Sequence, residues 1–340
     1  MKIAEKNVYL ITGAAGFIGS NFVHFLYQKE PNAEVRVLDK LTYAANMESL
    51  KAFKGRRGFK FIKGDICDAK IVKQAMRGAN IVINFAAESA VDRSIKNSKQ
   101  FLLTDVVGVY VLLEEARLQK NLKKFIQIST DEVYGQILDG SFSETSELKP
   151  RNPYAASKAG GDRLAYSFYT TYNLPVVVTR AANNYGPMAY PEKVIPLFIT
   201  NLIDGKKVPV YGAGKQIRDW LHVEDHCKAI YLLIQKGKNG EVYNIAADQE
   251  CTNIDLTRRM LKLMKKNDSY IELVQDRPGH DFRYSLNCAK LRQLGWEPGY
   301  NLEKGLQGTV EWYVANQSWW RPVKQKMDQK YLTGYWGKKQ

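Results

Sequence analysis

The fold is decided by one stretch, Thr12-Gly13-Ala14-Ala15-Gly16-Phe17-Ile18-Gly19, which directly follows the apolar run Val8–Ile11. The apolar run predicts a buried β-strand, and the pattern from Ile18 onward predicts an amphipathic helix. Glycines at three-residue spacing suit a tight turn, a close approach of the backbone to a pyrophosphate, and close packing of the helix on the strand. A pyrophosphate would sit at the positive N-terminus of that helix. The stretch therefore predicts the strand–turn–helix unit of a dinucleotide-binding fold.

The same alternation of apolar strands and amphipathic helices continues through the first half of the chain. It predicts an α/β fold with a Rossmann-like, doubly wound parallel sheet, because strands buried on both faces read as continuous apolar runs. The predicted strands are Val8–Ile11, Val35–Leu38, Phe59–Ile62, Ile81–Phe85, Phe125–Ile128 and Val176–Thr179. The predicted helices are Ile18–Lys29, Ala69–Arg77, Phe101–Gln119 and Tyr154–Tyr172.

The pattern loosens after Arg180, where loops rich in proline and glycine appear. Helical Val223–Gln235 and strand-like Glu241–Ala246 are expected to rejoin the sheet. We therefore predict an NAD-binding Rossmann domain over residues 1–182, joined again by about residues 220–248. A smaller α+β C-terminal part, formed by residues 183–219 and 249–340, would bind the substrate in a cleft over the strand ends.

The net charge of the 340-residue chain is +15, which could favour nucleic acid, a membrane surface or a phosphorylated small molecule. We attribute most of the charge to a lysine-rich solvated surface, because no arginine-rich block, zinc-finger spacing or RNA-binding signature accompanies it. No apolar run approaches membrane-spanning length, and we expect no signal peptide. The dispersed cysteines predict reduced thiols, no metal site and a cytoplasmic location. They are Cys67, Cys227, Cys251 and Cys288.

An acidic residue marks the end of the second predicted strand. Asp39 lies 20 residues beyond Gly19, where an acid accepts hydrogen bonds from the ribose hydroxyls of a dinucleotide. An acid at this position repels the extra phosphate of NADP, so NAD is favoured, although the adjacent Lys40 leaves NADP open. Asp65, after the third strand, would lie near the adenine. The small Ala86 and Ala87, after the fourth strand, would let the backbone pass close to the cofactor.

Two adjacent acids follow the fifth predicted strand in the run Thr130-Asp131-Glu132. The carboxyl ends of strands are where open α/β sheets place their chemistry. A pair of acids suggests two proton transfers, in which one acid donates and the other accepts. Taken alone, the pair could equally be an acidic loop that caps the next element.

A tyrosine and a lysine stand four residues apart at the start of a predicted helix. Tyr154 and Lys158 would share one helix face, and Pro153 suits the first helical turn. A lysine ammonium near a phenol is expected to lower the pKa of Tyr154 from its ordinary value of about 10. Such a tyrosine can accept a proton from a hydroxyl group while a hydride leaves the same carbon.

The glycine spacing together with Tyr154 and Lys158 resembles the extended short-chain dehydrogenase/reductase family. Further runs resemble, within it, the dTDP-glucose 4,6-dehydratase family, and the resemblance extends from the first strand to about Trp320. The acid pair is the most discriminating piece, because related sugar-nucleotide epimerases and decarboxylases typically lack it. The similar runs are Asp39–Ala44, Ala87–Ile95, Thr130–Gly135, Asn183–Pro187, Ile217–Leu221 and Asp276–Asp281.

Two positions depart from the family pattern. Ala90 stands where the family usually has histidine, which leaves the fine substrate contacts and the nucleotide base open. Ala181-Ala182, before the asparagine pair, also differs from the usual pattern.

The resemblance implies dehydration of a nucleotide-diphosphoglucose, most of all dTDP-glucose, to a 4-keto-6-deoxy sugar through transient oxidation at C4 by bound NAD. It implies that Tyr154 takes the C4 hydroxyl proton, that Glu132 removes the C5 proton and that Asp131 protonates the departing C6 hydroxyl. Asp131 must then start protonated, so we expect the site to raise its pKa selectively. The implied catalytic residues are Thr130, Asp131, Glu132, Tyr154 and Lys158.

The resemblance also implies two sets of binding residues. The cofactor set is Gly13, Gly16, Phe17, Ile18, Gly19, Asp39, Lys40, Leu41, Thr42, Asp65, Ile66, Ala86, Ala87, Thr104, Tyr154, Lys158 and Asn184. The substrate set is Ser89, Thr130, Asn183, Lys193, Val194, Tyr211, Arg218, Asn253, Arg277 and His280. Arg218 and Arg277 would meet the phosphates or ribose, although an ion pair of Arg218 with Asp219 or Glu224 is the alternative. His280 would shape the loop rather than catalyse.

The family commonly dimerises through a four-helix bundle, so a homodimer is implied, with Phe101–Gln119 and Tyr154–Tyr172 in the interface. The nearest alternative function is the same reaction on UDP-glucose, followed by a sugar-nucleotide 4-epimerase. A non-catalytic NAD-sensing or nucleic-acid-binding protein on the same fold is a third alternative, against which the intact catalytic residues argue.

Overall fold

The computed structural model describes residues 7–277 and 279–331. Parts of the predicted domain ranges (1–6 and 332–340), Pro278 and the end of the basic run from Lys324 lie outside the described residues. The strands are β1 Val8–Thr12, β2 Glu34–Asp39, β3 Phe59–Lys63, β4 Ile81–Asn84, β5 Lys124–Thr130, β6 Val176–Ala181, β7 Asn183–Tyr185, β8 Val208–Tyr211, β9 Ile217–His222, β10 Val242–Ile245, β11 Glu250–Thr252 and β12 Ile271–Val274. The α-helices are α1 Phe17–Lys29, α2 Ala69–Met76, α3 Val91–Lys96, α4 Ser98–Leu102, α5 Val109–Arg117, α6 Pro153–Tyr172, α7 Val194–Ile203, α8 Val223–Lys236, α9 Asn253–Leu263, α10 Ala289–Arg292, α11 Leu302–Ala315 and α12 Gln317–Tyr331.

Seven strands form the main sheet in the order β10-β6-β5-β4-β1-β2-β3, and every neighbouring pair is parallel. This confirms the predicted doubly wound α/β fold. The strand order reverses around β1, which lies between β2 and β4, so the carboxyl ends of these strands open a crevice. The predicted return of the chain to the sheet is also confirmed, because α8 packs on α1 and β10 pairs with β6.

Two apolar layers cover the faces of this sheet. One contains buried side chains of α1 and α8, such as Phe22 and Ile230, and the other contains those of α2 and α5, such as Val72 and Leu112. A third cluster lies in the C-terminal part, where Trp220 and Trp320 are almost fully buried. The smaller sheets there are β11-β9-β7 and β12-β8. Strand β9 crosses the predicted domain boundary between residues 219 and 220.

The predicted helix over Phe101–Gln119 is confirmed as a continuous helical stretch, but part of it is not α-helical. The chain forms α4, then a π-helical turn at Leu103–Gly108, then α5, which ends at Arg117. The turn packs directly on α6, because a Cβ atom at Gly161 would lie 2.3 Å from the carbonyl oxygen of Asp105. Such turns occur mostly as local bulges, frequently at functional sites.

Helix α6 begins and ends as its sequence predicts. Asn152 caps its N-terminus by accepting a hydrogen bond from the Ala155 amide at 2.8 Å, and Pro153 occupies the first turn. The helix stops at Asn173, whose backbone is left-handed with a φ of 55°. This fixes the orientation of the helix that carries Tyr154 and Lys158. No helix in the described ranges is both long and apolar enough to span a membrane.

Candidate active site

The glycine-rich turn after β1 leaves no room for side chains. Gly13 has a φ of 68°, and a Cβ there would lie 2.5 Å from the backbone nitrogen of Ala86. Helix α1 begins directly afterwards with Gly16 as its N-cap, and no side chain caps it. The first-turn amides of α1 are therefore available to an anion at the positive end of the helix.

A first cavity opens beside this turn, over the carboxyl ends of the central strands. It is lined by sixteen of the seventeen predicted cofactor residues, namely Gly13, Gly16, Phe17, Ile18, Gly19, Asp39, Lys40, Thr42, Asp65, Ile66, Ala86, Ala87, Thr104, Tyr154, Lys158 and Asn184. Leu41 is the exception, because its side chain packs on the apolar core and only its amide is used, as a donor to Asp39.

Asp39 is held by the backbone at the end of β2. Its carboxylate accepts hydrogen bonds from the amides of Ala15 at 2.8 Å and Leu41 at 2.7 Å. Burial raises the pKa of Asp39, and these two bonds oppose the rise. Lys40, the residue that kept NADP as an alternative cofactor, forms an ion pair with Asp65 at 2.6 Å. The cavity thus presents an acid and a neutralised cation where the ribose of a dinucleotide would lie, which fits NAD.

The acid pair lies at the carboxyl end of β5, in a 3-10 turn over Asp131–Tyr134. Thr130 caps this turn, because its hydroxyl lies 3.4 Å from the Glu132 amide and donates to the Asp131 carboxyl at 3.0 Å. Burial, followed by the neighbouring Glu132 charge, raises the pKa of Asp131 to about 8. The expected rise is thereby confirmed in direction. Glu132 is only half-buried and accepts a hydrogen bond from the side-chain amide of Asn152 at 3.1 Å.

Tyr154 and Lys158 both face the first cavity, as predicted from their spacing. The expected effect of the lysine on the tyrosine is wrong for the protein alone. Burial, followed by the charges of Glu132 and Asp105, raises the pKa of Tyr154 well above its ordinary value. Desolvation of the phenol dominates, and the Lys158 ammonium donates to the carbonyl oxygen of Ile128 at 2.7 Å.

Two buried acids near these residues were missed by sequence reasoning. Asp105, on the π-helical turn, accepts hydrogen bonds from the Ser157 hydroxyl at 2.7 Å and the Glu88 amide at 3.2 Å. Burial raises the pKa of Asp105 to about 6 and that of Glu88 to about 7. The signal for Asp105 was an acid inside a mostly apolar helical stretch, and the signal for Glu88 was its place in the similar run Ala87–Ile95.

A second cavity adjoins the first. Six residues line both, namely Ser89, Glu132, Asn183, Asn184, Glu192 and Lys193. The predicted substrate residues other than Thr130 line the second cavity, namely Ser89, Asn183, Lys193, Val194, Tyr211, Arg218, Asn253, Arg277 and His280. Thr130 lines the first. Ala90, which differs from the family pattern, also lines the second cavity. Ala181 and Ala182, which differ from it as well, line the first. Glu132 therefore stands at the junction of the two cavities.

The guanidinium of Arg218 forms hydrogen bonds with backbone carbonyl groups, which neither prediction for this side chain included. Its terminal nitrogens donate to the carbonyl oxygens of Ile217, Asp281 and Phe282 at 2.7 to 3.2 Å. Asp219, offered as an ion-pair partner, instead accepts three backbone amides, from residues 247, 248 and 249. Arg218 thus lines the second cavity while it holds the loop that follows Pro278.

Arg277 and His280 lie together in the second cavity. Arg277 approaches the carboxylate of Asp92 at 3.7 Å, and Tyr211 donates to that carboxylate at 3.2 Å. Asp92 was not predicted as a site residue, although it lies in the similar run Ala87–Ile95. His280 contacts Asp276 at 2.6 Å, and burial, followed by the Arg277 charge, lowers its pKa to about 4. A neutral, hydrogen-bonded His280 fits the predicted shaping role.

Comparison with known proteins shows the family. A curated relative from Streptomyces niveus, a dTDP-glucose 4,6-dehydratase, is 48% identical over 320 residues, which cover 93% of this chain and 95% of that protein. The chain belongs to the dTDP-glucose 4,6-dehydratase family. Residues 10–309 match the family model described as GDP-mannose 4,6 dehydratase, so the two descriptions agree on 4,6-dehydration and differ in the nucleotide sugar.

Solved structures give the same result. DesIV, a dTDP-glucose 4,6-dehydratase from Streptomyces venezuelae with NAD and TYD bound, superimposes with a TM-score of 0.90 and 46% identity, covering 93% of this chain and 99% of that one. A UDP-glucose 4-epimerase from Thermotoga maritima with UDP-glucose reaches a TM-score of 0.84 at 30% identity, covering 91% and 99%. The epimerase therefore shares the fold at lower sequence identity than the dehydratase. The described part of the chain contains no group of three or more His, Cys, Asp or Glu residues that could hold a metal ion.

Proposed function

We propose that the protein dehydrates a nucleotide-diphosphoglucose, in the first place dTDP-glucose, to its 4-keto-6-deoxy sugar, with NAD in the first cavity. The proposal is carried by the position of the acid pair. Glu132 lines both cavities, and Asp131 beside it has a pKa raised to about 8, so that it holds a proton at neutral pH. One acid is therefore ready to donate and its neighbour to accept.

NAD, when bound, supplies a hydride acceptor for sugar C4 and a hydride donor for C6. Tyr154 accepts the proton of the C4 hydroxyl, and Thr130 hydrogen-bonds the sugar nearby. Because burial opposes ionisation of Tyr154, the Lys158 ammonium on the same helix face is needed to balance the phenolate charge. Once C4 is a ketone, Glu132 removes the acidic C5 proton and Asp131 protonates the C6 hydroxyl, which leaves as water. A proton returned to C5, together with the hydride delivered to C6, completes the 4-keto-6-deoxy sugar.

The second cavity would hold the nucleotide diphosphate. Arg277 and Lys193 line it and supply cationic donors for the phosphates. Burial lowers the pKa of Lys193, while the charges of Glu192 and Glu132 oppose that effect. Since Ala90 departs from the family pattern in the lining of this cavity, UDP-glucose is retained as the second candidate substrate. A 4-epimerase is less well supported, because epimerisation has no use for a second acid that holds a proton.

The proposal extends to assembly and location. Exposed apolar side chains on α4, α5, α6 and the intervening π-helical turn support a homodimer through a helical bundle. They are Leu102, Leu103, Val107, Tyr110, Tyr166 and Tyr172. Dispersed free cysteines support a cytoplasmic location. The seven-stranded sheet would form the NAD-binding domain, and the segments that line the second cavity would form the substrate-binding part.

A panel assay tests the proposed function. Purified protein with NAD is incubated with dTDP-, UDP-, CDP- and GDP-glucose, and the 4-keto-6-deoxy product is measured. We expect conversion of dTDP-glucose, with a higher kcat/KM than the others. Absence of water loss with all four sugars would refute the dehydratase assignment, and a higher kcat/KM for UDP-glucose would refute the choice of base.

A further inference from the structure

A buried histidine with no assigned role lines the cavity proposed for NAD. His226, on α8, is fully buried and belongs to the lining of the first cavity. Its Nδ1 atom lies 2.9 Å from the side-chain oxygen of Asn184, whereas its Nε2 atom has no hydrogen-bond partner among the described residues. His226 is in none of the cofactor, substrate or catalytic sets given above. Because buried polar groups are almost always hydrogen-bonded, the Nε2 atom points to a partner on a ligand.

The hydrogen bonds of Asn184 determine which ring nitrogen of His226 carries the hydrogen. The Asn184 side chain donates to the carbonyl oxygen of Ala182 at 2.9 Å, so its NH2 group faces that carbonyl and its oxygen faces His226. An amide oxygen can only accept, so Nδ1 of His226 is the donor. Burial lowers the pKa of His226 to about 3, so the ring is neutral at physiological pH. The Nε2 atom is therefore an acceptor without a hydrogen, and it needs a donor.

The order of the main sheet indicates which end of a dinucleotide His226 would meet. Asp39 and Asp65, the predicted contacts of the adenosine, follow β2 and β3 on one side of β1. The phenol of Tyr154 lies beside the end of β5, on the other side of β1. Asn184 belongs to β7, which directly follows β6 on that same side. Since hydride transfer requires the nicotinamide close to Tyr154, His226 lies at the nicotinamide end of the cavity.

The nicotinamide carries a donor that matches this acceptor. Its carboxamide NH2 group can only donate, whereas the ribose hydroxyls can also accept and can pair with the Lys158 ammonium. Two backbone carbonyls at this end of the cavity already accept hydrogen bonds. The carbonyl of Ile128 accepts from Lys158, and that of Ala182 accepts from Asn184. The Nε2 atom of His226 is thus an acceptor that the protein itself leaves unused.

We propose that His226 is a cofactor-binding residue: its Nε2 atom accepts a hydrogen bond from the carboxamide NH2 group of the nicotinamide. The inference rests on the proposed function, which places NAD in the first cavity. A hydrogen bond to the carboxamide restrains rotation of the ring about its bond to the ribose, and thereby selects the face that is turned toward the sugar. Asn184 holds the imidazole through Nδ1, and the partner of one ring nitrogen sets the role of the other.

The binding test compares NAD with 3-acetylpyridine adenine dinucleotide, in which a methyl group replaces the carboxamide NH2. Dissociation constants are measured by calorimetry on the full chain freed of copurified nucleotide. His226→Asn places an NH2 group near the position of Nδ1, so it can still donate to Asn184, but it has no acceptor at the position of Nε2. We expect its affinity for NAD to fall about 3- to 10-fold, the size of one neutral hydrogen bond, while its affinity for the analogue changes by less than about twofold.

Two further variants serve as rescue and control. His226→Gln brings an amide oxygen within reach of the position of Nε2, so it should keep the preference for NAD over the analogue. His24→Asn is the matched control, because one ring nitrogen of His24 also contacts an oxygen, the carbonyl of Ser49 at 2.7 Å, and His24 lines neither cavity. Its preference should equal that of the wild type.

A second readout needs no variant at His226 and no turnover. In wild-type protein labelled with ¹⁵N at the histidine rings, a neutral ring gives separate signals for the nitrogen with a hydrogen and the nitrogen without one. Addition of NAD should move the Nε2 signal of His226 toward that of a hydrogen-bonded nitrogen. The analogue should leave this signal in place, and both nucleotides should leave the signals of His24 unchanged.

An equal preference for NAD in the wild type and His226→Asn, or an Nε2 signal that NAD does not move, would overturn the inference. Absence of water loss from any nucleotide sugar, in a wild-type protein that binds NAD with the expected preference, would instead refute the proposed function. The two failures are therefore distinguishable.

Discussion

Removing the acidity of Asp131 is expected to stabilise the protein while it abolishes dehydration. Asp131 is 4% exposed, and burial raises its pKa from 3.8 to about 8. Below about pH 4 both the folded and the unfolded chain carry this proton. Between about pH 4 and pH 8 the unfolded chain releases the proton and the folded chain keeps it, so the free energy of unfolding falls as pH rises. Above about pH 8 both states are ionised and the fall stops.

The magnitude follows from the size of the shift. Each unit of pKa difference corresponds to about 1.4 kcal/mol, so about three units between pH 4 and pH 7 give an upper bound of about 4 kcal/mol at pH 7. Asp131→Asn is neutral at every pH and can still accept the Thr130 hydroxyl. We therefore expect Asp131→Asn to be more stable than the wild type by about 1 to 4 kcal/mol at pH 7, with a difference that grows from pH 5 to pH 8 and then levels.

Denaturant unfolding of both proteins at pH 5, 6, 7, 8 and 9, at one fixed NAD concentration, measures this difference. Asp139→Asn, at an exposed loop aspartate, controls for the chemical change itself. A stability difference that is independent of pH, or an Asp131→Asn protein less stable than the wild type at pH 8, would refute the reasoning. Loss of activity with gained stability would place Asp131 among residues whose function opposes stability.

Three further outcomes are expected. Glu132→Gln should lower kcat by at least about 100-fold, because a general base is lost. Reduced nicotinamide should then accumulate after oxidation at C4 and be visible by absorbance. Unaffected turnover would contradict the role of Glu132. Arg93→Gln should speed loss of NAD by about tenfold relative to Arg117→Gln, because Arg93 pairs at 2.8 Å with Glu192, which lines the first cavity, and stacks on Tyr43 at 3.5 Å. Tyr110→Lys should give a monomer by analytical ultracentrifugation, whereas the exposed control Leu273→Lys should remain a dimer; an unchanged Tyr110→Lys assembly would contradict the proposed interface.

The central strands of the sheet were predictable because several of them contain continuous apolar runs. Strand β4, for example, is buried at all four of its positions, as a strand covered on both faces of a parallel sheet should be. The strand ends were less certain, and β5 extends two residues beyond its prediction, as far as Thr130. Strand ends depend on pairing with a neighbour, here β6, which the strand's own sequence does not contain.

The lining of the first cavity was predictable because its residues follow consecutive strands. The features of this site that differ from the prediction have local causes, which the periodicity of the sequence does not show. Leu41 turns its side chain to the core because its backbone is left-handed, with a φ of 58°. The π-helical turn around Asp105 packs closely on α6 at Gly161, where a Cβ atom would lie 2.3 Å from the carbonyl oxygen of Asp105.

The contacts around Glu132 were beyond sequence reasoning for another reason. Tyr284, whose phenol oxygen lies 3.4 Å from the Glu132 carboxylate, is 152 residues away along the chain, and Arg218 reaches the carbonyl of Asp281 across 63 residues. These contacts depend on how the C-terminal segment folds back over the strand ends. The resemblance identified Arg218 as a cavity residue. Only the structure shows that its guanidinium donates hydrogen bonds to carbonyl oxygens of that segment.

The structure also shows how two adjacent carboxyl groups with similar intrinsic acidity come to lie in different environments. Their ordinary pKa values, about 3.9 for aspartate and 4.3 for glutamate, would leave both ionised at neutral pH. Asp131 is enclosed at the start of the 3-10 turn, where burial and the neighbouring charge favour its protonated form. Glu132, one residue later, lines both cavities and accepts a hydrogen bond from the side-chain amide of Asn152. In the proposed mechanism, the direction of proton flow therefore follows from the turn that Thr130 begins at the end of β5. On that proposal an epimerase with the same fold needs only the oxidation step assigned to Tyr154, whereas dehydration needs this turn as well.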